Sequence, residues 1–223
     1  SISYPFTLKQ LVNQPVHIIK KETTGNCVNK RLIIWDSTDD YDIETCPSYR
    51  SECSTNEASK AHVSVNLSFA TYSSQDNSWK CDNKSCHPDL YTWIPYIVND
   101  NTDTANNTTT NTTTYDVLLF NVCTQMFLIV DEDGNTMVDR TLSVIDSNRS
   151  VDTSTSSTPI ITFHNKMLWK LSKDSNSNCI KIKSLNSNYL KYQNNSFSLS
   201  PDGDDWYIVP KLNTVELEDN KSA

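Results

Sequence analysis

The stretch His62-Val63-Ser64-Val65-Asn66-Leu67-Ser68-Phe69 decides the fold class. Val63, Val65, Leu67 and Phe69 alternate with polar residues, so an extended chain here has one apolar face and one wet face. The same parity sends Asn66 outward. Comparable short runs, often β-branched or aromatic, recur at Val16–Lys20, Arg31–Trp35, Val117–Val122, Phe127–Val130, Met137–Val144, Leu168–Leu171, Cys179–Lys183, Tyr189–Tyr192, Ser196–Ser200 and Trp206–Val209. Turn chemistry separates them, as at Asp133-Gly134-Asn135 and Pro201-Asp202-Gly203-Asp204. Only Leu8, Leu11 and Val12 can share the face of a short helical turn. No segment is long enough for a crossover helix, so the pattern predicts an all-β protein and excludes doubly wound and barrel α/β enzymes.

What lies between these runs is polar rather than charged. Of 223 residues, 36% are hydrophobic and 21% charged, and mean hydropathy is −0.54, with Ser, Thr and Asn filling the difference. The formal net charge is −8 and the pI is near 4.9. The basic residues are scattered, Lys20-Lys21 and Lys181/Lys183/Lys191 coming nearest to patches and reading as solvated strand faces. Such a chain excludes nucleic acid and anionic membranes as partners, because phosphate binding needs a basic face that displaces counterions. Three glycines are too few for collagen-like, linker or phosphate-cradling segments. No run approaches the ~18 apolar residues of a membrane span, so no membrane insertion is expected within this segment. A chain opening at Ser1 without a signal peptide reads as a mature or trimmed ectodomain. The polar stretches 99–114 and 146–158 read as surface loops of one all-β domain covering 1–223, with a boundary near residue 105 as the alternative.

Seven cysteines, Cys27, Cys46, Cys53, Cys81, Cys86, Cys123 and Cys179, suit an oxidising compartment and suggest three disulfides with one thiol left over. Cys46 with Cys53 and Cys81 with Cys86 are near enough to close small loops. Cys27, Cys123 and Cys179 then pair across the fold or stay free. The spacing Cys81-x4-Cys86-His87 is half of a zinc pattern, but the second pair at comparable spacing is absent, so neither metal nor cofactor is expected. Sequons occur at Asn66, Asn83, Asn106, Asn107, Asn111, Asn148, Asn194 and Asn220, in a composition that supplies several by chance. Asn66, Asn83, Asn107, Asn111, Asn148 and Asn194 are the candidate glycosylation sites. The run from Asn106 to Thr114 buries nothing, and residues 102–114 are expected to be exposed and mobile.

Three segments resemble one another: Thr92-Trp93-Ile94-Pro95-Tyr96-Ile97-Val98, Leu168-Trp169-Lys170-Leu171-Ser172 and Asp205-Trp206-Tyr207-Ile208-Val209-Pro210. The interval Leu168–Pro210 holds a strand, a turn, Ile180/Ile182, Tyr189-Leu190, Phe197/Leu199 and again a Trp-led strand. That order resembles one repeat of a β-trefoil, the pseudo-threefold fold of ricin-type lectins, interleukin-1-like cytokines and fibroblast growth factors. The resemblance implies a β-trefoil-like barrel with long polar insertions, a first repeat beginning at Val16, a second at Trp93, and a lectin-like binding role. A two-sheet β-sandwich satisfies the same alternation. Ricin-type lectins carry Gln-x-Trp. Here Tyr91, Met167 and Asp204 stand at the Gln position, so this chain departs from that sugar-binding signature in every repeat.

Asp131-Glu132-Asp133-Gly134-Asn135 has the alternating oxygens of a calcium loop, but Thr136 and Leu142 stand where such a loop needs Gly and Glu, and a hairpin turn fits better. Asp202-Gly203-Asp204-Asp205 places three carboxylates before Trp206. Asp202, Asp204, Asp205 and Trp206 are the ligand-binding candidates, with Trp206 expected in the core. His17, His62, His87 and His164 have no motif-grade neighbours, surface positions being expected for His17 and His62, and no G-x-S-x-G occurs, so no catalytic residue is assigned. The expectation is a secreted or cell-surface, glycosylated, non-catalytic binding module taking an extracellular glycan or protein. The alternatives are a structural or adhesive wall or coat domain, a viral-type secreted decoy glycoprotein, and last an extracellular hydrolase whose carboxylate pair only the folded chain would assemble.

Overall fold

The computed structural model describes residues 6–20, 30–35, 46, 62–63, 66–100, 112–130, 136–140, 149–152, 160–163, 167–174, 179–185 and 188–211. Among these, helix α1 (Leu8–Leu11) is a single turn. The Gln10 side chain accepts the Thr7 N–H at 3.0 Å, and the turn gives way at Asn13 to a left-handed φ of 59°. Strands follow as β1 (Val16–Lys20), β2 (Lys30–Trp35), β3 (His62–Val63), β4 (Asn66–Ser73), β5 (Ser78–Cys81), β6 (Lys84–Ser85), β7 (Trp93–Asp100), β8 (Thr112–Asn121) and β9 (Met126–Val130). The remainder are β10 (Thr136–Arg140), β11 (Arg149–Asp152), β12 (Ile160–Phe163), β13 (Trp169–Asp174), β14 (Ile180–Ser184), β15 (Tyr189–Gln193), β16 (Ser196–Ser200) and β17 (Trp206–Pro210). The molecule is all-β.

Six strands close on themselves. β1 pairs with β17 and β7, β7 with β8, β8 with β13, β13 with β14, and β14 with β17. Closure leaves these six no free edge along the ring. A hairpin-like antiparallel pair lies between the two ring strands of each successive pair: β2/β4 between β1 and β7, with β3 in the connection between them, β9/β10 between β8 and β13, and β15/β16 between β14 and β17. The chain therefore runs strand, hairpin, strand three times. The first unit is extended by β5 and β6, and the second carries a separate β11/β12 pair.

The core repeats with the units. Trp93, Trp169 and Trp206 each open the second ring strand of their unit, and all are fully buried. Each indole N–H donates to the backbone carbonyl of a buried leucine on the first hairpin strand of the same unit: Trp93 to Leu32 at 2.9 Å, Trp169 to Leu128 at 2.8 Å, Trp206 to Leu190 at 3.3 Å. A buried indole needs such a partner, and this one ties each hairpin to the ring. Val16, Ile18, Val117, Leu119, Leu171, Ile180, Ile182 and Ile208 fill the interior with Leu8 and Leu11 of α1.

Several sequence expectations change. Each tryptophan begins the strand that closes a unit, so the first unit runs from β1 through β7 and the second starts at β8, not at Trp93. The loop read at 99–114 is shorter: β7 extends to Asp100, and Thr112, Thr113 and Thr114 pair with Asp174, Lys173 and Ser172. Threonine is β-branched and gains a ladder there, which a count of apolar side chains overlooks. Residues 101–111 lie outside the described part. Within 146–158, Arg149–Asp152 is a strand paired with Ile160–Phe163. The 62–69 run is two strands with different neighbours, β3 on β10 and β4 on β2, and residues 64 and 65 lie outside the described part. His17 is buried against the Tyr91 ring, 5.1 Å between centroids, instead of facing water. Cys46 bonds Cys123, not Cys53, whereas Cys81 bonds Cys86. The first bond spans 77 residues and needed the fold to become visible. Cys27, Cys53, His164 and the turn Asp131–Asn135 lie outside the described residues, although β9 and β10 on either side of that turn pair as a hairpin.

Candidate functional site

The acidic turn between β16 and β17 comes together, and every carboxylate in it is taken. Lys191 on β15 reaches Asp202 at 2.9 Å, Lys20 on β1 reaches Asp204 at 2.9 Å, and Lys181 on β14 reaches Asp205 at 3.0 Å. The Ser200 hydroxyl also donates to Asp202, and the Tyr192 N–H donates to Asp204. Lys181 further donates to the Gly203 carbonyl at 3.0 Å. The Ser200 hydrogen bond and then Lys191 hold the Asp202 carboxyl down at about 2. Gly203 is buried, and a Cβ there would lie 2.0 Å from the Tyr189 Cβ, so the turn demands glycine. Trp206 points into the core. Of the lysines read as solvated strand faces, Lys20, Lys181 and Lys191 are thus the counter-ions of this turn, and a cation would have to displace three ammonium groups to bind. The arrangement clasps β16–β17 to β1, β14 and β15.

An exposed aromatic pair lies elsewhere, on the β4/β5 hairpin. Tyr72 and Trp79 are cross-strand partners, with ring centroids 5.6 Å apart at 59°. Tyr72 is 41% exposed and Trp79 half-buried. Trp79 is fixed by the Arg31 guanidinium, 3.7 Å from its ring centre, and by Tyr91 at 5.9 Å. At the hairpin tip Asn77 takes φ 51° and its Oδ1 lies 3.4 Å from the Tyr72 hydroxyl, while Asp76 pairs with Lys80 at 3.0 Å. Two rings braced by a buried guanidinium and rimmed by amide, carboxylate and ammonium groups form a stiff amphipathic surface. Sequence reading missed it because Tyr72 and Trp79 sit seven residues apart across a turn, with no apolar alternation around them.

Next to this hairpin the two disulfides share a small core with Ile33, Ala70, Leu90 and Tyr91. His87 caps the 3₁₀ turn Pro88–Tyr91, its Nδ1 accepting the Asp89 N–H at 3.1 Å and lying 3.3 Å from Cys46 Sγ. Of the candidate glycosylation sites, Asn83 and Asn194 are exposed and occupy left-handed hairpin positions with φ 61° and 53°. Asn66 lies on β4, and Asn107, Asn111 and Asn148 lie outside the described residues. No helix among the described residues is long and apolar enough to cross a membrane. A comparison with protein-family models finds no match, and neither does a comparison with curated proteins.

Proposed function

We propose that this chain is a non-catalytic β-trefoil binding module of the extracellular space or cell surface, and that it takes a glycan on the Tyr72–Trp79 face. The β-trefoil assignment is supported by three strand–hairpin–strand units around one closed ring and by the matched tryptophan-to-carbonyl bonds. Two disulfides favour the oxidising address.

The observation that carries the glycan is the exposed Tyr72 ring beside an immobilised Trp79. The apolar C–H face of a pyranose is attracted to the negative face of an aromatic ring, while its hydroxyls need neighbouring donors and acceptors such as Asn77, Asp76 and Lys80. Size favours a sugar over a protein, because a stable protein interface covers about 800 Å² per partner around an apolar centre, far more than two partly exposed rings. A glycan array followed by titration of tryptophan fluorescence tests the site. Saturable binding that Tyr72→Ala reduces at least ~10-fold, with folding intact, is the expected result. Binding untouched by Tyr72→Ala, or capture of a protein instead of any glycan, would overturn the assignment.

A further inference from the structure

We infer that Cys46, Cys123, His87 and Asp89 form a zinc site when the Cys46–Cys123 bond is reduced, so that the same two sulfurs either bond each other or hold a metal. Cys46 Sγ, His87 Nδ1 and an Asp89 carboxylate oxygen all lie within 4.8 Å of one another, and Cys123 Sγ is bonded to Cys46. His87 Nδ1 is 3.3 Å from Cys46 Sγ and 3.9 Å from Asp89 Oδ2. In a tetrahedral site with Zn–S about 2.3 Å and Zn–N about 2.0 Å, ligand atoms lie roughly 3.3–3.8 Å apart, so small side-chain movements suffice. Two thiolates, an imidazole and a carboxylate are a donor set that zinc accepts.

The setting agrees with the geometry. Because His87 Nδ1 accepts the Asp89 N–H, a lone pair already resides on the nitrogen that faces the sulfur. Zinc takes that lone pair and releases one backbone hydrogen bond. Asp89 also lies 3.9 Å from Lys211 Nζ, a contact long enough to yield to a divalent cation. Cys123 is buried and Cys46 and His87 are partly exposed, so the site has a closed floor and an open entry. The sequence offered Cys81-x4-Cys86-His87 and lacked a second pair. The fold supplies sulfurs from residues 46 and 123, while Cys81 and Cys86 are engaged with each other.

The switch balances as follows. A dithiol reductant gives two electrons and is oxidised to its own disulfide, while the Cys46–Cys123 bond opens to two thiols. Zinc then binds both as thiolates, and two protons pass to solvent.

Differential alkylation mapped by mass spectrometry tests the site on the whole chain. After dithiol reduction, one equivalent of zinc should slow alkylation of Cys46 and Cys123 at least ~10-fold and leave the rates at Cys81 and Cys86 unchanged. His87→Asn keeps an oxygen acceptor for the Asp89 N–H but lacks the imidazole ligand, and it should abolish the protection. Equal protection of all four cysteines, or protection that survives His87→Asn, would overturn the site. A second measurement starts from the folded, oxidised protein in a thiol redox buffer, where zinc should raise the reduced fraction of the Cys46–Cys123 pair and His87→Asn should cancel that rise. An unchanged fraction would overturn it equally.

Discussion

The turn Asp202–Asp205 and the cluster around His87 are both dense in chemically active side chains, yet they have opposite characters. The turn is compact in sequence, and its three carboxylates are each closed off by a lysine from a different strand. The cluster draws on residues 46, 87, 89 and 123, and its donor atoms face one another. Proximity along the chain made the turn conspicuous and left the cluster invisible. Charge concentrated along the chain recruits counter-ions from whichever strands lie beside it, whereas donors gathered from afar converge only because the fold carries them there.

The largest expected effect separates a structural turn from a ligand platform. Trp206→Ala should cost about 3–5 kcal/mol in chemical denaturation, as should Trp93→Ala and Trp169→Ala, because each ring is fully buried. Near-wild-type stability for Trp206→Ala alone would reopen the acidic turn as a binding site. On the other side of the comparison, replacing Cys46 and Cys123 together by Ser releases a 77-residue constraint and should cost about 4.5 kcal/mol, against about 2 kcal/mol for the five-residue Cys81–Cys86 loop. Similar melting curves for the two double variants would mean that the long bond does not hold the first unit to the ring. Gly203→Ala should cost about 1–3 kcal/mol by forcing a methyl group against Tyr189. A neutral result would show that the turn is loosely seated.

The smallest effect concerns acid. Asp202 is held at about 2 against an ordinary 3.8, so the unfolded chain takes up its proton first as pH falls. Its contribution is complete above about pH 3.8 and disappears as pH drops toward 2. Carboxyl chemical shifts followed by NMR should titrate in that window and move up in Ser200→Ala. An Asp202 midpoint unchanged in Ser200→Ala would remove the hydroxyl as the main cause.

Strand identity was largely legible, because burial of one face imposes a period of two on residues such as Ile180 and Ile182. The Trp93, Trp169 and Trp206 likeness was legible too, since a buried indole needs both space and an acceptor. Strand order was not, because ring closure through β14 and β17 rests on the pairing of Ile180 with Trp206, which no local pattern encodes. Thr112–Thr114 failed for the complementary reason that their stabilisation comes from the backbone ladder to β13. At the aromatic face, Tyr72 and Trp79 become neighbours only through β4/β5 register. The lysine partners of the acidic turn stand out as residues, but ion pairing from three separate strands cannot be read along one.

Ring closure also fixes how the molecule would respond to force. Val16 lies opposite Pro210, and the Lys211 N–H donates to the Pro15 carbonyl at 3.0 Å, so the chain enters β1 and leaves β17 side by side at one pole. Tension applied through the segments on either side would first have to draw Leu8 and Leu11 out of the interior and break the Asn13 N–H bond to the Pro95 carbonyl, and only then would the antiparallel pair peel open one hydrogen-bonded step at a time from Val16 toward Lys20. Shear, which would strain all of those bonds together, does not arise in this geometry. Once α1 is withdrawn, the β1/β17 seam would therefore be the first of the ring to open, because its bonds are loaded one after another and not together.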